Sequence, residues 1–168
     1  MNKQKLFPPL VSGFAAAVLT TVPGVKNMGC CLIVPLAAVL ALFLDHKINK
    51  TQLPVNFKTA VLFGILTGIF AAVFSTLFDV LITFITKSND FVEALPQTEM
   101  LISQYKLGAL LDQTMAIMHQ MVHDIKTYGF SFLYTVGIFT SNLLINTIFG
   151  FLGGLIGMSF LNKRLQNK

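Results

Sequence analysis

Four apolar stretches, at residues 6–22, 28–44, 57–86 and 129–161, alternate with short polar joints, and a mixed stretch at 87–127 separates the last two. The third, 57–86, carries Lys58 at its opening and a single acid, Asp79, within it. About twenty helical residues cross a hydrocarbon core, and inside lipid a helix is the conformation that pairs its own backbone groups. The run therefore predicts a transmembrane helix with residues to spare. Ala60, Gly64, Gly68, Ala72, Ser75 and Asp79 follow one another at steps of three or four, which places them on one helical stripe. Gly64 and Gly68 form a G-x-x-x-G pair suited to the close approach of another helix. Leu62, Phe63, Ile65, Ile69, Phe70, Phe74 and Leu77 lie on the other faces, to meet lipid or neighbouring side chains.

The remaining stretches arrange themselves around this run. Residues 6–22 form a first helix, with Pro8 and Pro9 expected at its opening turn, where proline is tolerated. Its positive start and apolar middle also suit a signal peptide. The second membrane-like stretch that follows favours a retained helix. Residues 28–44 form a second helix that Pro35 should kink. Gly13, Ala16, Ala17, Ala37, Ala38 and Ala41 suit a tight hairpin of these two. The last helix, 129–161, carries Gly150, Gly153, Gly154 and Gly157, expected as one bare ridge, and a basic tail follows from Asn162.

Residues 87–127 have a different pattern. Ser88-Asn89-Asp90 should stop the third helix and can cap a short one, with Asp90 and Glu93 at capping-box spacing, and Pro96 followed by Glu99 signals a second helix start. Leu107, Leu111, Met115, Met118, Val122 and Ile125 then recur three or four apart, with Asp112, Gln113, Gln120 and Asp124 off that stripe. The pattern is that of an amphipathic helix, interrupted near Gly108, lying on a membrane or capping a bundle.

Composition agrees. The chain of 168 residues is 54% hydrophobic and 11% charged, with mean hydropathy +0.72, whereas soluble domains carry about 25% charged residues. The net charge of +5 could suggest a nucleic-acid partner, but its placement does not. Nine Lys/Arg and two Asp lie outside 87–127, and three Lys with five acids lie within it. That asymmetry follows topology, and no basic stripe with interleaved aromatics is present. The expected fold is thus all-α: one polytopic membrane domain of four transmembrane helices with an extracytoplasmic amphipathic segment between the third and fourth. Lys3, Lys5, Lys47, Lys50, Lys58, Lys163, Arg164 and Lys168 fall on the side of the termini, against Lys26, Lys87, Lys106 and Lys126. The excess of cations places both termini in the cytoplasm, in a cell inner membrane.

The third and fourth spans exceed a bilayer by some ten residues, more than tilt absorbs. Counting about twenty residues from Lys58 reaches Asp79, and the same count back from Lys163 reaches Asn142. Both would then lie near the outer interface. Residues 80–86 and 129–140 would rise beyond it and join 87–127 in a helical cap.

Few residues can carry chemistry. Asp79, Asn142 and Asn146 form a polar intramembrane or interfacial set, able to bind a proton or cation or, more simply, to fasten helices, with Asn142 or a threonine as partner to the acid. His119 and His123 share a face near Met115, Met118 and Met121 and are weak soft-metal candidates. Those methionines also fit the apolar stripe, so no metal is expected. The adjacent Cys30 and Cys31 suit neither a redox motif nor a zinc site and are expected as small packing residues. No nucleophile elbow, zinc-protease, phosphate-loop or paired-carboxylate motif occurs, so neither catalysis nor a cofactor is expected.

The layout, with VNFKTAVLFGILTGIFAAVFSTLFDVLITFI at its third helix and a glycine-rich last helix, resembles a group of small four-helix bacterial membrane proteins of unknown function. An aromatic-plus-alanine start, here Phe57 and Ala60, opens the long helix. The acid-proline step that usually follows is replaced by Lys87-Ser88-Asn89-Asp90. The resemblance implies architecture and transfers no residue roles. Two functions remain in view. One is a non-catalytic subunit or scaffold, partnered by the bilayer and by other membrane subunits or further copies of itself. The other is a small oligomeric transporter or channel using Asp79 with Asn142 and Asn146.

Overall fold

The computed structural model describes residues 3–22, 24–25, 29–49, 54–104 and 109–166, and among these every regular element is helical. In order they are α1 (Lys3–Thr20), a π-helical turn (Gly29–Ile33) leading into α2 (Val34–Ile48), α3 (Phe57–Thr86), α4 (Asp90–Ser103), α5 (Ala109–Tyr128) and α6 (Phe132–Gln166). Among the described residues, three stretches are long and apolar enough to cross a membrane: Cys31–Ile48, Phe57–Thr86 and Phe132–Arg164. The apolar part of α1, Lys5–Thr20, is shorter. At 1.5 Å per residue, α3 with 30 residues is about 45 Å long and α6 with 35 residues about 52 Å, against a hydrocarbon core of about 30 Å.

The chain divides into two compact units, Met1–Phe78 with Phe139–Lys168, and Asp79–Ile138. In the first unit α3 is central. Ala60, Gly64, Gly68 and Ala72 are buried, as the stripe predicts. Ala60 faces Gly154, Gly64 faces Gly150 and Gly68 faces the backbone of Asn146, so α3 and α6 run antiparallel with their backbones almost touching. A Cβ at Gly64 would press into the Gly150 carbonyl, and one at Gly150 into that of Gly64. Gly153 and Gly157 instead face α2, at Pro35 and at Val39 with Leu42. The four glycines therefore form two adjoining ridges, one for each neighbour, rather than the single ridge expected. A rotation of 100° per residue carries a three-residue step to one side of the stripe and a four-residue step to the other. On the remaining side Gly13 of α1 meets Thr67, Phe70 and Ala71 of α3, where an added Cβ would lie 2.7 Å from that of Phe70.

Two apolar clusters fill the spaces. One joins Ala41, Leu42, Ala60, Phe63 and Leu161, and the other Ala16, Val34, Ala37 and Ala71. Phe63, expected to meet lipid or neighbouring side chains, is 1% exposed and packs with Ala41 and Leu42 of α2 and Leu161 of α6. Phe14 stacks edge-on against Phe74 and Phe78, with ring centres 5.2 and 5.8 Å apart. In lipid these contacts stabilise through dispersion and fit rather than exclusion of water, so small residues that let backbones close matter most.

Proline positions depart from expectation. Pro35 lies at the start of α2, directly after the π-helical turn, and not in mid-helix. A widened turn accommodates the ring and the missing N–H. Pro8 and Pro9 sit one turn inside α1, because the helix begins at Lys3, and both are buried. Cys31 is exposed and not a core packing residue.

The second unit comprises the end of α3, the helices α4 and α5 and the start of α6. Lys87 ends α3 with φ 53°, its N–H bonded to the Thr83 carbonyl at 2.8 Å, a left-handed C-terminal cap. Its Nζ donates to the Thr127 carbonyl at the end of α5, at 3.2 Å. Asn89, not Asp90, caps α4: its Oδ1 accepts from the N–H of Val92 at 3.0 Å. Glu93 receives the Ser88 hydroxyl at 3.4 Å. Pro96 does not start a new helix; α4 continues through it to Ser103, and the Thr98 hydroxyl donates to the Ala94 carbonyl. The expected interruption is the gap between α4 and α5; Leu107 and Gly108 lie outside the described residues. On α5, Val122 and Ile125 are buried, with Leu111, Met115 and Met118 half-buried on the same stripe. Gly129 ends α5 with φ 75°, and its close approach to the Phe84 backbone leaves no space for a Cβ.

Candidate functional site

Asp79 lies at the first position of the second unit, half-buried. The Tyr134 hydroxyl donates to its Oδ2 at 2.7 Å. Tyr134 is presented by the first turn of α6, whose cap is Ser131: the Ser131 carbonyl accepts from both the N–H and the hydroxyl of Thr135. The Phe91 ring lies tilted against the Tyr134 ring with centres 5.6 Å apart, close enough for a favourable aromatic contact. Thr83, one turn beyond Asp79 on α3, is 2% exposed and accepts from the Asn89 amide at 3.2 Å. The recess formed by Val80, Thr83, Ser131, Tyr134 and Thr135 is too narrow for a water molecule. Asp79 thus ties α3 to α6 through a tyrosine, while α4 is brought in through Phe91 and Asn89.

The other two members of the expected polar set lie in the first unit. The Asn142 amide donates to the Thr76 hydroxyl at 3.0 Å. The expected threonine partner exists, but it serves Asn142 of α6. Asn146 is buried at 7% exposure, with its backbone oxygen against Gly68. Both asparagines therefore sit in the α3–α6 seam, one beside a hydroxyl and the other where the backbones are closest.

His119 pairs with Glu99, Nε2 to Oε1 at 2.6 Å, joining α5 to α4. His119 and His123 are both exposed. Among the described residues no group of three His, Cys, Asp or Glu is placed to hold a metal.

Several of these residues were not singled out by the sequence. Tyr134 had a signal: the glycine register of α3 on α6, counted on to Asp79, comes out opposite Thr135, next to Tyr134. Asn162 had none beyond its position at the end of an apolar run. Assigned to a tail, it is instead a clamp: its Oδ1 accepts from the Val55 N–H at 2.7 Å and its Nδ2 donates to the Val55 carbonyl at 3.2 Å. One amide thereby satisfies both backbone groups of the residue that leads into α3. Glu99, flagged only as a helix-start signal, is the acid that engages His119.

No protein-family model, curated protein or solved structure matches this chain.

Proposed function

We propose that this chain is an integral protein of the bacterial inner membrane that acts without catalysis, as a subunit or scaffold of a membrane complex. In this reading α1, α2, α3 and α6 cross the bilayer, both termini are cytoplasmic, and residues 87–127 lie outside. The cation asymmetry supports that orientation. The observation that carries the functional reading is the use made of the polar residues. Asp79 with Tyr134, Asn142 with Thr76 and Asn162 with Val55 each join one chain segment to another. The small-residue seams are likewise filled from within, by α1, α2 and α6. In the Asp79–Ile138 unit Met100, Leu101 and Ile117 are 69%, 62% and 46% exposed and offer a partner an apolar surface.

Purification in mild detergent followed by mass spectrometry tests this. A second subunit, or further copies of the chain, should co-purify and be lost in Met100→Asp/Leu101→Asp. Recovery of a lone monomer would count against the proposal. A transporter reading draws on the acid itself, since intramembrane carboxylates commonly serve ion pathways. It requires that Asp79→Asn abolish ion or substrate flux in proteoliposomes while the protein still folds.

A further inference from the structure

A groove of about 460 Å³ opens between α2 and α6 in the first unit. Leu40, Phe43, Leu44 and Leu161 form its apolar part, and Lys47, Arg164 and His46 its polar end. Leu40, Leu44 and Lys47 follow one face of α2, and Leu161 and Arg164 one face of α6. Both helices therefore change from apolar to basic within a turn, toward their C-terminal ends. Lys47 and Arg164 are exposed and Leu40 is 46% exposed, so the groove is reached from the surface. The acid of the same turn, Asp45, is engaged by Asn49, whose Nδ2 donates to its Oδ1 at 2.7 Å. Its volume falls within the range of sites that enclose small ligands.

An apolar slot that ends in two cations complements a hydrocarbon chain that ends in an anion. A soluble anion would leave the slot unfilled, and a zwitterionic lipid would place its own cation beside Lys47 and Arg164. Basic residues at the ends of membrane helices stand where headgroup phosphates lie. We propose that this groove holds one acyl chain of an anionic phospholipid, with its phosphate between Lys47 and Arg164. The proposal rests on membrane embedding and is independent of the subunit reading.

Native mass spectrometry of the detergent-solubilised protein, titrated with dioleoylphosphatidylglycerol or dioleoylphosphatidylcholine, measures it. The first phosphatidylglycerol should bind more tightly than phosphatidylcholine. Lys47→Gln and Arg164→Gln should each reduce that preference about fivefold, and Lys58→Gln, outside the groove, should leave it unchanged. Leu40→Trp keeps both charges but fills the slot and should weaken binding of phosphatidylglycerol. Equal affinity for the two lipids, an equal effect of Lys58→Gln, an unaffected Leu40→Trp variant, or displacement by glycerol 3-phosphate at lipid concentrations would each overturn the proposal.

Discussion

Tyr134 and Asp79 exchange one hydrogen bond across two helices, and the cost of losing it depends on which partner is removed. Tyr134→Phe takes away one donor to a half-buried carboxyl, so unfolding should become easier by about 1–3 kcal/mol. Asp79→Asn keeps an acceptor for the tyrosine and should cost less. Denaturant titration of the two variants side by side checks the order. The opposite sign is expected at Thr67. Its hydroxyl and that of Ser12 are buried and without a hydrogen-bond partner. Thr67→Val preserves shape and removes an unsatisfied polar group, so stability should rise by up to about 1 kcal/mol, seen as a higher melting temperature in detergent. Polar residues in an apolar run were easy to find in the sequence. Their partners were harder, because Thr76, Tyr134 and Val55 carry no mark of their own and are chosen by the register of helices far apart in the chain.

Helices were more legible than their ends. Residues 57–86 coincide with α3 because Asn56 precedes the run and Lys87-Ser88 closes it. The start of α6 moved from 129 to Phe132 because Gly129 is taken by the cap of α5 and Ser131 by that of α6. Proline was the least reliable guide: Pro96 lies within α4, and Pro35 follows a widened turn. The glycine seam permits a paired test within α6. Gly150→Ala drives a methyl group into the backbone of α3 and should destabilise by roughly 1–3 kcal/mol or prevent folding. Gly137→Ala meets nothing within 4 Å, so it should be neutral or gain up to about 1 kcal/mol from helix propensity. Thermal unfolding followed by circular dichroism separates them, and equal effects would show that the seam is not the cause.

At the scale of the whole molecule, the compact unit that begins at Asp79 starts where a twenty-residue count from Lys58 ends. The proposed topology is checked by labelling. In a Cys30→Ser/Cys31→Ser background, Leu101→Cys should react with a membrane-impermeant maleimide on intact spheroplasts, and Lys163→Cys only after permeabilisation. The reverse pattern would invert the orientation.

The seam between α3 and α6 has a further consequence. Its small residues repeat every four positions, so sliding one helix by a turn would set Gly64 against Gly154, Gly68 against Gly150 and Ala72 against Asn146. Glycine alone makes a track on which neighbouring stations look alike. The amides break that degeneracy like pins through two rulers, Asn142 on Thr76 toward one end and Asn162 on Val55 at the other. With both pins removed, as in Asn142→Leu/Asn162→Leu, helices should persist while spin-label distances between positions 62 and 152 split into more than one population. The seam sets how closely the helices approach, and two asparagines set where along it they stop.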